Sequence, residues 1–312
     1  MMQPRDVRIA CVGGCDVDRT ARLAAAPEFG SSNPVSVATS SGGVARNVAE
    51  TLARLGCQAS LFSVVGGDKV GAMVLDRLVG VGVDVTGVDV VDDEPTATYT
   101  AVLEPEGGLV MGLADMAILD NMDTDWVDAA TPSLARHNVW FVDANLPAAS
   151  LAHLLRRRRA RGVAVLADPV SVAKAPRLAP VLDALDAVFP DAAEAAVLAG
   201  ADGDEVQLAK LLRQRGAGAV VITRGAEGVL LSDEEGTADV PALAGGTVVD
   251  VTGAGDALIA GFIYGTCMDG DVHPIRYGLA AASLALETPG SVSEDLSPAR
   301  LAARLDRLKV AQ

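Results

Sequence analysis

Basic residues are in short supply in this chain. Lys and Arg number 25 against 41 Asp and Glu, a formal net charge of −16 and a sequence pI near 4.5. Such a balance argues against nucleic-acid backbones or anionic membranes as partners and favours solubility. The run of about 20 apolar residues that a membrane span needs is absent. No basic-then-apolar leader precedes the first strand signal, which sets a cytoplasmic location as the expectation. Histidine is limited to His137, His153 and His273, with no zinc-pair spacing, and the four cysteines (Cys11, Cys15, Cys57, Cys267) form no C-x-x-C. They read as buried, reduced thiols, and a metal held by thiolates is excluded as an expectation. Three familiar motifs are also missing: the G-x-x-x-x-G-K-[ST] phosphate loop, a G-x-G-x-x-G opening the first strand–helix unit, and G-x-S-x-G.

Apolar residues make up 50% of 312, enough for one large α/β domain with a small appended unit. Short apolar runs bounded by glycine, proline or aspartate occur at 8–14, 59–66, 138–144, 162–169 and 218–225. Helical periodicity separates most of them. In residues 42–56 it places Val44, Val48, Leu52 and Leu55 on one face before Gly56 stops the run. This alternation predicts βαβ units around a mainly parallel sheet. Residues 33–40 and 96–114 alternate apolar and polar instead, the second with a turn at Glu106-Gly107-Gly108. They predict a small β unit, a lid of about 17–40 and 94–114, within a single domain of 1–312. The basic run 156–161 reads as the last turns of an amphipathic helix, where cations suit the helix dipole.

The stretch DVTGAGDALIAGF, residues 250–262, concentrates chemistry. Its apolar continuation predicts a buried helix whose first N–H groups lack partners. Gly253, Ala254 and Gly255 leave those groups open, and the dipole favours an anion there, such as a phosphate. Asp256 stands beside that anion site. Local physics allows two roles for it: helix N-cap, or acceptor of a proton from a hydroxyl that attacks phosphorus.

The segment 250–256 resembles the C-terminal signature of the ribokinase-like PfkB family of carbohydrate and nucleoside kinases. SGGVARNVAETLARLG (41–56) resembles that family's other signature, some 200 residues upstream. The resemblance implies a three-layer α/β/α sandwich with a small β lid. It also implies ATP and magnesium, with potassium as a candidate activator. Finer features (31–47, EPTATY, ADM, DANLP, ADPVSVAK) resemble the family's pseudouridine kinase branch.

By that resemblance Asp256 is the base toward a 5′-hydroxyl, and Gly253, Ala254 and Gly255 hold the moving phosphoryl group. Asp18, with Asp16 beside it, grips ribose hydroxyls, since a carboxylate can accept two hydrogen bonds. Gly42, Gly43 and Asn47 approach the sugar, while Thr98, Asn145 and Lys174 line the substrate side. Thr223, Gly225 and Gly228 receive ATP, Asp191 and Glu194 organise magnesium indirectly, and Asp250 and Thr252 help bind a monovalent cation. The chain departs from the family pattern at Asp191 and Asp16, where asparagine is common. Scarce aromatics, 3% of residues, leave Phe62 and Tyr99 as candidates for stacking on a base. The lid's exposed edge is a candidate homodimer surface. Ribokinase-type or other nucleoside kinase activity, and sugar or nucleoside binding without catalysis, are the competing readings.

Overall fold

The computed structural model describes residues 6–158, 162–243, 246–268 and 271–310. Strands β1 (Arg8–Val12), β2 (Asp16–Leu23) and β3 (Val35–Gly42) lead into helix α1 (Val44–Arg54). Then come β4 (Gln58–Gly66), α2 (Lys69–Gly80), β5 (Asp84–Val91) and the hairpin β6 (Thr98–Leu103) and β7 (Leu109–Asp115). Next are α3 (Thr124–Leu134), β8 (Val139–Asp143), α4 (Ala148–Arg158), β9 (Ala164–Asp168) and β10 (Ala187–Val188). The chain continues through α5 (Ala192–Ala199), α6 (Glu205–Gln214), β11 (Val220–Thr223), β12 (Val229–Ser232) and β13 (Thr237–Val240). It ends in α7 (Ala254–Thr266), α8 (Pro274–Ala285) and α9 (Pro298–Val310).

Among the described residues nine strands form one sheet, ordered β13-β12-β11-β10-β9-β8-β1-β4-β5. Pairing is parallel from β5 through β11, and β12 and β13 close one edge antiparallel. The strands are apolar at successive positions because both faces are covered. In β8, Val139 and Phe141 enter the core beneath α1, α7 and α8, whereas Trp140 and Val142 enter the core beneath α3 to α6. The result is the expected three-layer ribokinase-like sandwich. Helix α7 is buried from Ala257 to Gly265, which explains its unbroken apolar sequence. No helix among the described residues is long and apolar enough to cross a membrane.

The second sheet is ordered β3-β2-β6-β7. Its two hairpins are antiparallel, but β2 and β6 join in parallel, so the lid sheet is mixed. Asp16 and Asp18 share one face of it. Val35, Val37, Met111 and Leu113 lie exposed on the other. Of the basic run, residues 159–161 lie outside the described residues, and Arg158 ends α4. All four cysteines are buried and free, and burial pushes the thiols of Cys11, Cys15 and Cys57 up.

Candidate active site

Connections leave β1 in opposite directions along the sheet, toward β4 on one side and β8 on the other. Such a switch point opens a crevice at the carboxyl ends of the strands. Asp143, the last residue of β8, is fully buried there. Its Oδ2 accepts the backbone N–H of Gly14 at 2.9 Å and of Ala45 at 2.9 Å, and its Oδ1 accepts that of Asn145 at 2.8 Å. One carboxylate thus joins the β1–β2 link, the start of α1 and the loop after β8. Burial still raises its pKa, against the pull of these bonds. Asp143 opens DANLP and carries no expected role in the sequence. A carboxylate ending an apolar strand was the available signal.

On the substrate side, Asp16 pairs with Gly42 across the hairpin. A Cβ at Gly42 would collide with the carboxylates of Asp16 and Asp18, so only glycine lets the two acids sit against β3. Asp16 Oδ1 is buried and has no hydrogen-bond partner among the described residues. Burial, then Asp18, pushes the Asp16 pKa up to about 7, and burial raises Asp18 as well. Lys174 Nζ donates to Asn145 Oδ1 at 2.5 Å. Burial lowers the Lys174 pKa, while Asp143 opposes the change. Arg177, another residue not assigned from sequence, donates to the carbonyls of Ala144, Asn145 and Leu146 and so fixes the loop that carries Asn145.

Two expected contacts fall elsewhere. The β2–β6 register pairs Thr98 with Val17, on the face away from Asp18, and the Thr98 hydroxyl donates to the Thr96 carbonyl. Tyr99 takes the place beside Asp18. A one-residue step on a strand reverses the face, and this is what sequence similarity could not register. Phe62 is buried edge-on to His137, within the core beneath α3 to α6, rather than in the crevice.

The head of α7 removes one of the two roles open to Asp256, that of N-cap. The N-cap is Gly253, with φ of 73°, and Asp256 follows as the third helical residue. Gly253 needs its left-handed backbone, and a Cβ there would strike the Ser291 carbonyl. Around Gly255 the space is open. Asp256 Oδ2 accepts a hydrogen bond from Asn47 Nδ2 at 2.6 Å. Burial pushes the Asp256 pKa up to about 7; Asn47 and Arg46 hold it down, and Asp143 and Asp18 push it further up. Asp168, at the end of β9 and also unassigned from sequence, is raised well above the usual range by burial and by the charges of Asp256 and Glu194.

On the opposite side of α7, Thr223, Gly225, Gly228, Val248, Val251, Ala254, Leu258, Leu279, Ala282, Ser283 and Leu286 are among the residues lining a largely apolar cavity of about 390 Å³. It receives all three candidate ATP contacts. Asp191 bridges to Thr223 on the neighbouring strand. Asp191 and Glu194 form a capping box: Asp191 Oδ1 accepts Glu194 N–H at 2.7 Å, and Glu194 Oε2 accepts Asp191 N–H at 2.9 Å. Each acid keeps one oxygen outside that box. Asp250 accepts Thr252 N–H at 2.9 Å and Gly290 N–H at 3.0 Å, which ties the turn before Gly253 to the loop that backs it. No three metal-ligating side chains converge among the described residues.

The pfkB family carbohydrate kinase model matches residues 7–298. The chain belongs to the PfkB family. Its members include the pseudouridine kinase of Escherichia coli (strain K12), which is 30% identical over 300 residues, covering 94% of this chain and 95% of the relative. The solved carbohydrate kinase from Agrobacterium tumefaciens superposes with a TM-score of 0.84 at 32% identity, covering 96% of this chain and 97% of that one. A putative ribokinase II from E. coli, solved in complex with ATP and Mg2+, shares the fold at a TM-score of 0.82 and 18% identity, over 96% and 99% of the two chains. The PfkB assignment makes the chain a carbohydrate or nucleoside kinase.

Proposed function

We propose that the chain transfers the γ-phosphate of ATP to the 5′-hydroxyl of a ribosyl substrate, with pseudouridine as the substrate. The carrying observation is the position of Asp256: it stands beside the open Gly253-Ala254-Gly255 turn, bonded to Asn47, between the apolar cavity and the carboxylate-lined crevice. A carboxylate is a poor ligand for phosphate but a suitable acceptor for the hydroxyl proton. In this reading the adenine occupies the apolar cavity, and the phosphates approach the free N–H groups heading α7. Asp16 and Asp18 orient the sugar, with Asn145 and Lys174 at its far side, and the β2-β3-β6-β7 lid excludes water. The oxygens of Asp191 and Glu194 outside their capping box would hold the waters of a magnesium ion, which would supply neutralisation of phosphate charge. The 30% identity to a pseudouridine kinase supports the choice of substrate.

A panel of sugars and nucleosides with an ADP-release readout tests the proposal. Preferential turnover of pseudouridine supports it, whereas preference for ribose or another nucleoside moves the assignment within the family. Binding without ADP formation under magnesium and potassium would make the chain a binding protein. A monovalent-cation site at Asp250 and Thr252 belongs to the same proposal and predicts higher activity in KCl than in NaCl. So does a homodimer through the exposed lid edge, which light scattering checks.

A further inference from the structure

The proposed base is connected to a buried charge that the proposed reaction does not use. Arg46 is 1% exposed and Glu50 is 0% exposed, and they pair at 2.6 Å. Taking such charges out of water costs several kcal/mol per ion, and one of them left alone would be strongly destabilising. Arg54 and Arg77 complete the Glu50 side, donating at 2.8 Å and 3.0 Å to its Oε1. The opposite end of the Arg46 guanidinium faces the site. Its Nε donates to the Gly42 carbonyl at 3.0 Å and its Nη2 to the Ser291 hydroxyl at 3.0 Å. Nη2 also donates to the Ser41 carbonyl and to Asn47 Oδ1.

A guanidinium can only donate, so the Asn47 atom that meets it must be the oxygen. The amide NH2 is then directed at Asp256, where the 2.6 Å bond is found. Asn47 in the reversed orientation would present NH2 to a cation and oxygen to a carboxylate, repulsive at both ends. Arg46 therefore decides which way the amide points. The same guanidinium holds the carbonyls of the last two residues of β3, the strand by which the lid enters α1.

We infer that Arg46 is a positioning residue: through Asn47 it orients Asp256, and through the Ser41 and Gly42 carbonyls it links that orientation to the lid. This rests on Asp256 being the base. Ion pairs buried for structure alone need no tie to a catalytic group. Here the cation reaches the base through one intervening side chain, and Ser291, which it also holds, supplies the carbonyl that backs Gly253. The groups facing Asp256 from the elements around it are Arg46 on α1, Asp18 on β2, Asp143 on β8 and Asp168 on β9. Arg46 is the cation in that set.

The test compares Arg46→Lys, Asn47→Ala and the double variant. Lysine keeps the charge but lacks the fork that serves Ser41, Asn47 and Ser291 together. Each single variant is expected to lower kcat about 100-fold, the effect of a misplaced catalytic group, with KM for ATP changed far less. The double variant is expected to lose no more than Asn47→Ala alone, because Arg46 acts through Asn47. Losses that multiply would overturn the inference. A second measurement needs no substrate: the 13C titration of the Asp256 carboxyl, identified by its disappearance in Asp256→Asn. Its midpoint is expected to rise by about one pH unit in Arg46→Lys once Asn47 is released. Ser291→Ala, which removes one partner and no charge, gives the same direction at smaller size and serves if Arg46→Lys does not fold. An unchanged midpoint in folded variants overturns the role of Arg46, while a wild-type chain that phosphorylates nothing overturns the reaction.

Discussion

Asn47 Nδ2 lies 2.6 Å from Asp256 Oδ2, a bond between residues 209 positions apart. It joins the two glycine motifs of the chain: one begins α1 after Gly42-Gly43, and the other begins α7 after Gly253. The consequence is a half-buried, oriented carboxylate whose pKa responds to groups from several strands and helices.

Asp256→Asn tests the base directly. Asparagine keeps the shape and removes the proton acceptor, so kcat is expected to fall by about 10²- to 10⁴-fold, the usual contribution of a general base. Calorimetry should find ATP and nucleoside still bound. Near-normal turnover would remove Asp256 from the mechanism.

The pH profile carries a sign. Burial pushes the Asp256 pKa up to about 7, and the base works only when ionised. The kcat/KM of the free enzyme should therefore fall about tenfold per pH unit below 7 and level off above it. Asp16 is also pushed up to about 7, so the same profile in Asp16→Asn separates the two groups. An acid limb that stays in place there belongs to Asp256.

Stability should change with pH at Asp16. Unfolded, its carboxyl ionises near the ordinary aspartate value of 3.8; folded, it holds its proton to about 7. Between those values folding takes up a proton, so the Asp16 contribution is fully present below about 4 and lost as pH rises through 7. Asp16→Asn should raise the melting temperature at pH 8.5 and leave it nearly unchanged at pH 4. The cost should appear as weaker sugar binding. Equal shifts at both pH values would place the effect in packing rather than ionisation.

Gly253→Ala should damage both fold and activity. The residue has φ of 73°, and the new methyl would meet the Ser291 carbonyl. A cost of about 2 kcal/mol is expected from the backbone strain and the displacement it forces. Thermal denaturation measures that, and kcat reports whether the α7 amides have moved. A variant of wild-type stability would contradict the geometry.

The cavity beyond Ala254 can be filled from α8. Ala282→Phe places a ring in the space of about 390 Å³ and is expected to raise KM for ATP about tenfold, a loss near 1.4 kcal/mol. KM for the nucleoside should change little, because Ala282 does not line the carboxylate side. A rise in the nucleoside KM alone would exchange the two sides of the site.

The layered fold was legible because its cause is local. Runs such as NVWFVDA are apolar at every position only when both faces of a strand are covered, and β8 feeds two cores by alternation. The anion turn was legible for a similar reason: small residues before a buried helix leave N–H groups free wherever the chain goes. The cap-or-base ambiguity at Asp256 was beyond local chemistry. Its cap half turned on which residue begins the helix, and the backbone placed Gly253 there.

Strand register decided the rest of the site. Thr98 and Tyr99 are neighbours of one chemical neighbourhood in sequence, yet pairing with Val17 and Asp18 sends them to opposite faces of the lid. Asp143 and Asp168 looked like ordinary strand ends until the parallel sheet brought them together beneath Asp256. Arg46 looked like one more helix residue until burial forced it to find five partners. The sequence by itself determined the sheet, the buried helices and the two glycine turns, because propensity and patterning act over a few residues. Tertiary structure alone decided the orientation of Asp256, the acids gathered around it and the cation behind Asn47, because burial and long-range charge depend on segments more than 200 residues apart.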